Sequence, residues 1–228
     1  MAAPTFKPAL IIVDLQEDFC PPNGSLAVES GRAVIPTVNH LLTLPFALKI
    51  ATKDWHPADH ISFASSHPGK KPFVDTVTIV NPSNPSETYE SRLWPDHCIQ
   101  NTPGSELVPE LDVNKIDKIV EKGMRREVEM YSAFYDPLKN PRVSDSGLAD
   151  MLRGEGITDV FVVGLAFDYC VRATAEDAKR EGFKTVVVRE GTRAVDRMGW
   201  AHVDRELENM GVGVVGVNGT EVKRVEEL

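Results

Sequence analysis

Short apolar runs rich in Val and Ile recur along the chain, at Ala9 to Val13, Ala47 to Ala51, Ile116 to Val120, Val160 to Val163, Thr185 to Val188 and Gly213 to Val217. They lack the apolar–polar alternation of a half-exposed strand, so each suits a strand covered on both faces, as in a parallel sheet. Between them lie amphipathic stretches that read as helices: Gly31 to Leu44, Ser146 to Glu155, Asp168 or Cys170 to Glu181, and Met198 to Met210. Gly154 and Gly156 stop the second of these, and Gly182 caps the third. Strands alternating with helices predict an α/β fold of three layers, α/β/α, around a mainly parallel, doubly wound sheet of about six strands.

The rhythm fails from Ser62 to Thr102, where Pro68, Pro72, Pro82, Pro85 and Pro95, with Pro103 just beyond, break any period. We expect a single domain over 1–228 with a long loop-rich insertion at about 62–104, and loops of this length in a compact domain are usually functional or disordered. This one carries Trp94, His97 and Cys98, which favours function. Residues 65–91 form either a lid or an ordered surface loop, and the sequence does not decide between them. Gly211 to Gly216 matches the dinucleotide pattern G-x-G-x-x-G, but that loop must follow a strand and open a helix. Here it lies inside the last expected strand, so no nucleotide site is assigned.

Composition narrows the function classes. A chain of 228 residues can bury roughly 70% of its unfolded surface in one core. With 42% hydrophobic and 26% charged residues it has the make-up of a soluble globular protein. A formal net charge of -9, without clustered Lys and Arg, excludes nucleic acid as a partner. No apolar run approaches the roughly 18 residues of a membrane span, and Met1 to Pro8 lacks the basic start and apolar core of a secretory signal. The reading is a soluble, cytoplasmic protein, not secreted and without a membrane partner; a homo-oligomer stays open. Cys20, Cys98 and Cys170 are an odd set without close pairing, which argues against a disulfide framework and leaves a thiol for chemistry. The sequon Asn218-Gly219-Thr220 reads as an unmodified turn.

Polar residues fall where the strands end. Asp14 follows the first apolar run, Asp54 and His56 the second, Lys122 the third, and Cys170 the fourth across a short turn. In open parallel sheets ligands bind beyond the carboxyl ends of the strands, where residues distant in sequence converge. Taken alone, Asp14 or Lys122 is better explained as a solvated loop charge, and only the joint placement weakens that reading. Cys170 lies at an expected helix start, where partial positive charge and a nearby Lys122 would lower its pKa and favour the thiolate. Asp14 could take the thiol proton and return it to a departing amine. The competing reading is an inert core cysteine, and packing roles are assigned to Cys20 and Cys98. Asp54 and His56, at alternate positions of an extended segment, point to one side, and one further imidazole would complete three metal ligands with open positions. His60 and His97 compete for that place; His40, His67 and His202 are left to the surface.

These residues resemble the nicotinamidases of the isochorismatase-like cysteine hydrolase superfamily. The resemblance runs from about Ala9 to Val217 through five motifs in order: Val13 to Phe19, Thr52 to Pro57 with His60 to Phe63, Trp94 to Cys98 followed by Gly104, Glu121 to Gly123 with Tyr131 to Phe134, and Val163 to Val171. It implies the isochorismatase-like hydrolase fold and a catalytic triad of Asp14, Lys122 and Cys170. It implies further that Asp54, His56 and His97 bind one divalent metal, first of all Zn2+, with His60 behind them. The substrate implied is nicotinamide or a close pyridine carboxamide, its ring nitrogen towards the metal and its carboxamide towards Cys170. Phe19, Trp94, Tyr131, Leu165 and Ala166 would contact it. A cis peptide at Leu165-Ala166 would aim the Ala166 and Cys170 amides into an oxyanion hole. The implied reaction is attack by Cys170, a thioester, loss of ammonia and hydrolysis to nicotinic acid, a step of NAD salvage. Lys122→Ala is expected to lose chemistry more than folding.

Two alternatives stand beside this. Another amidase of the superfamily, acting on a small amide or carbamoyl compound, would keep Asp, Lys and Cys but usually lack the metal trio. A catalytically silent binding protein of the same fold has no need of the triad. Isochorismatases proper lack the cysteine as a rule.

Overall fold

The computed structural model describes residues 5–228; Met1 to Pro4, part of the N-terminal stretch read above, lie outside them. Six strands form one sheet: β1 (Pro8–Val13), β2 (Leu48–Asp54), β5 (Lys118–Lys122), β6 (Asp159–Leu165), β7 (Lys184–Arg193) and β8 (Gly213–Val215). Their order is β5-β2-β1-β6-β7-β8 and every neighbouring pair is parallel. The apolar runs form the sheet because both its faces are covered. Along β1, Leu10 and Ile12 join one core, while Ala9, Ile11 and Val13 join the other, as strand alternation requires. Helices α1 (Ile35–Thr43) and α5 (Thr220–Glu226) cover the first face, and α2 (Leu148–Gly154), α3 (Arg172–Arg180) and α4 (Trp200–Asn209) the second. The expected three-layer α/β fold is thus the fold observed.

Two elements differ from the reading of the sequence. Residues 62–104 are not simply loop: β3 (Thr76–Asn81) and β4 (Asn84–Arg92) pair antiparallel in a separate two-stranded sheet. Asn81 makes the turn, its buried side chain accepting the Ser83 amide at 3.0 Å. The hairpin rests on a small core of Ile79, Val128 and Leu138, with Tyr89 and Val77 against it. Helix α5 was not foreseen either, since only Val222 and Val225 of its seven residues are buried.

Close approach at one point sets the site. Gly164 of β6 pairs with Val13 at φ +109°, and a Cβ there would stand 2.0 Å from the Val13 carbonyl oxygen. Only glycine lets β6 lie against the end of β1, which brings Asp14 beside the turn that carries Cys170. Among the described residues no helix is long and apolar enough to cross a membrane.

Candidate active site

Four side chains meet beyond the carboxyl ends of the strands. Asp14 leaves β1 at φ +47°; its amide donates to Thr52 Oγ1 at 3.1 Å, and the Thr52 hydroxyl donates back to its carboxylate. Asp54 and Lys122 are the last residues of β2 and β5 and pair in register. Cys170 sits in a wide π-helical turn, Phe167–Val171, that follows a cis peptide at Leu165-Ala166 and runs into α3. The Lys122 ammonium joins them: it lies 2.9 Å from Asp14 Oδ2, donates to Asp54 Oδ1 and to the Met130 carbonyl at 3.2 Å, and reaches Cys170 Sγ at 3.5 Å. Lys122 is 1% exposed and Asp14 not at all.

Burial governs the charges. It lifts Asp14 to about 6, against the opposing pull of Lys122. Burial would also raise Asp54, but Lys122, His56 and His97 outweigh it and hold that carboxyl well below its ordinary range. Lys122, which burial alone would depress, is kept firmly protonated by Asp14 and Asp54. Cys170 departs from expectation. Burial pushes its thiol well above the ordinary value, and Lys122 only partly offsets this, so the resting sulfur is a thiol rather than a thiolate.

A second cluster adjoins the first. One ligand atom each of Asp54, His56 and His97 lies within 4.8 Å of the others, a set able to hold a metal ion. His56 hydrogen-bonds the Gly123 carbonyl through Nδ1 at 2.8 Å, which leaves Nε2 as the free lone pair, 3.5 Å from Asp54 Oδ2. That Nε2 is buried and has no hydrogen-bond partner. His97 is fixed the same way, Nδ1 on the Pro95 carbonyl at 2.7 Å and Nε2 turned towards Asp54 at 4.0 Å. Gly123, at φ +67°, makes room, because a Cβ there would stand 2.4 Å from His56 Cε1. His60 is not part of the set: it stacks on His56 at 4.1 Å and spends both nitrogens on Ser62 Oγ and the Val128 carbonyl. Cys98 is a buried free thiol outside the cluster, as is Cys20.

A cavity of about 380 Å³, counted to its open mouth, lies over both clusters. Phe19, Trp94, Tyr131, Ala166 and Cys170 line it together with Asp54 and His97. Trp94 Nε1 donates to the Tyr131 hydroxyl at 2.9 Å, which locks the two rings. Leu165, also expected to contact the substrate, is fully buried in the core and is not part of the cavity lining. Leu26, Val28, Glu129, Tyr169 and Val195 line the cavity and were not singled out from the sequence. Tyr169 could have been, as the neighbour of Cys170; the others lie in segments without a periodic signal. Two polar residues of the Val13 to Phe19 motif, given no role from the sequence, hold the frame: Gln16 bonds the Asp54 amide and carbonyl, both at 2.8 Å, and Asp18 accepts the Cys98 amide at 2.7 Å.

A buried thiol, ammonium and carboxylate thus meet beyond the strand ends of a parallel sheet, and the chain belongs to the isochorismatase domain family, which matches residues 8–218. Several of the relatives it resembles at about 40% identity are nicotinamidases. It is 42% identical over 205 residues to the nicotinamidase of Acinetobacter baylyi, covering 90% of each chain. The yeast nicotinamidase bound to the inhibitor nicotinaldehyde superposes with a TM-score of 0.85 at 36% identity, covering 92% of this chain and 99% of that one. A pyrazinamidase of Pyrococcus horikoshii in complex with zinc gives a TM-score of 0.69 at 34% identity, over 92% and 99% of the chains.

Proposed function

We propose that this chain hydrolyses nicotinamide to nicotinic acid and ammonia, as a cytoplasmic step of NAD salvage, with Asp14, Lys122 and Cys170 as its catalytic groups. The observation that carries the reading is the Lys122 ammonium held between Asp14 and Cys170, with Cys170 bordering a cavity walled by Phe19, Trp94 and Tyr131. A flat aromatic amide fits such walls, with its carboxamide over the sulfur.

Asp14, a carboxylate above pH of about 6, accepts the Sγ proton as the sulfur attacks the amide carbon. Lys122, charged throughout, stabilises the negative sulfur and holds Asp14 in place. The amides of Ala166 and Cys170 receive the oxyanion. Asp14 then delivers the proton to the departing nitrogen, the C–N bond breaks, and ammonia leaves a Cys170 thioester. Water attacks the thioester while Asp14 takes its proton. That proton returns to Sγ as the C–S bond breaks, and nicotinic acid is released.

Asp54, His56 and His97 fit a divalent metal: one carboxylate and two imidazoles whose remaining lone pairs converge, one of them otherwise an orphaned buried nitrogen. Zinc suits this donor set and would act as a Lewis acid that anchors and polarises the pyridine ring. We take 1–228 as one catalytic domain in which the 62–104 excursion supplies Trp94 and His97. Three buried free thiols accord with a reducing compartment.

The test is ammonia release from nicotinamide by the purified, metal-replete protein beside its Cys170→Ala variant. Release abolished in the variant is the expected result. No release from the unaltered protein would transfer the reading to another small amide or carbamoyl substrate.

A further inference from the structure

Two carboxylates line the cavity, Asp54 and Glu129; the first belongs to the metal-binding set, and the second has no part in either the reaction scheme or that set. Glu129 is 3% exposed. Its Oε1 accepts the neighbouring Met130 amide at 2.9 Å, while the ion pairs of the site run through Asp14 and Asp54 and leave Glu129 out. The carboxylate takes one hydrogen bond from a neutral donor, forms no ion pair and borders the cavity, so a positive charge bound there would find it unpaired.

The backbone holds it in a defined place. Tyr89 of β4 clamps Glu129, its hydroxyl donating to the Glu129 carbonyl at 2.8 Å and accepting the Glu129 amide at 3.0 Å. The preceding carbonyl, of Val128, accepts from His60 Nε2 at 3.0 Å, and the following one, of Met130, from Lys122. Glu129 is therefore pinned between the stacked imidazoles and the ammonium. Its negative charge acts on His56, His97 and Cys170 alike.

We propose that Glu129 is a positioning residue for the metal centre: not a ligand, but the counter-charge that faces the divalent cation across the cavity. This rests on the metal-dependent reading above. Asp54 supplies one negative charge to an ion carrying two, and Glu129 supplies the second, so that the two balance the ion between largely buried side chains. Without the ion the same carboxylate is unbalanced.

The experiment compares the full chain with Glu129→Gln and Glu129→Asp, using Zn2+ alone as the probe. Zinc affinity is measured by competition with a chromophoric chelator, and Tm is recorded with and without zinc. Glu129→Gln is expected to weaken zinc about 10–100-fold, as loss of an outer partner of a metal site does, and Glu129→Asp to recover part of the loss. The metal-free Gln variant should melt no lower than the unaltered chain, because an unbalanced buried charge has gone. Equal zinc affinity in the two proteins overturns the inference, whatever happens to KM. So does a metal-free Gln variant that melts lower while its gain on zinc addition is unchanged, the signature of a packing role. If the unaltered chain itself takes up no zinc, the metal reading fails and this inference with it. If it binds zinc and the Gln variant binds equally, only this inference fails.

Discussion

Lys122 shows how far a side chain's role depends on what surrounds it. The sequence suggested that Lys122→Ala would lose chemistry more than folding. In the structure its ammonium is buried between the Asp14 and Asp54 carboxylates. Its removal strands two buried acids, and breaking such a pair costs about 3–5 kcal/mol. We expect Lys122→Ala to lose turnover and stability together, by about that amount in a urea titration; a variant as stable as the parent would show that the acids take up protons without penalty. The same burial predicts the pH dependence. Asp14, raised to about 6, must be unprotonated to accept the Sγ proton, so kcat/KM should hold above that pH and decline as pH falls through it. A profile flat down to pH of about 4.5 would remove Asp14 as the base. The triad residues were legible because each lies in a short motif at a strand end. Their protonation states were not, since Cys170 at a helix start suggests a thiolate while desolvation, visible only in three dimensions, makes it a thiol.

The strands of the main sheet were legible as elements because covering both faces leaves an uninterrupted apolar run, and β1, β6 and β7 carry that signature. The β3-β4 hairpin was not, because its strands are largely exposed, hold Pro85 and pack only a few residues such as Ile79 against a minor core. Helix α5 escaped for the same reason. The ends of elements matter more to function than their middles, and Gly123, just after β5, is the clearest case. Gly123→Ala forces a side chain onto a left-handed backbone, at about 1–2 kcal/mol, and drives its Cβ into His56 Cε1. We expect this variant to lose metal affinity out of proportion to its fall in Tm, both readable on one sample by metal titration and thermal melting. Retention of full affinity would mean that His56 can shift without leaving the cluster.

At the scale of the whole molecule, the five motifs in order made the family legible, while the cavity did not emerge from them alone. Val28 and Val195, which flank it, are nearly 170 positions apart and belong to loops brought together only by the sheet order, a long-range property that no local pattern encodes. The hairpin gives this dispersal a practical use. Its tip, Pro82 and Ser83, is exposed, while the strands on either side remain paired. A protease site placed there would divide Asp14, Asp54 and His56 from His97, Lys122 and Cys170 without touching any of them. Exposed tips of this kind are where backbone breaks are best tolerated, so the nicked protein should keep its activity for as long as the two pieces stay together. Expressed apart, neither piece holds a full set of catalytic groups, and ammonia production becomes a reporter of their reunion: a split enzyme whose signal could be tied to whatever proteins are fused to its halves.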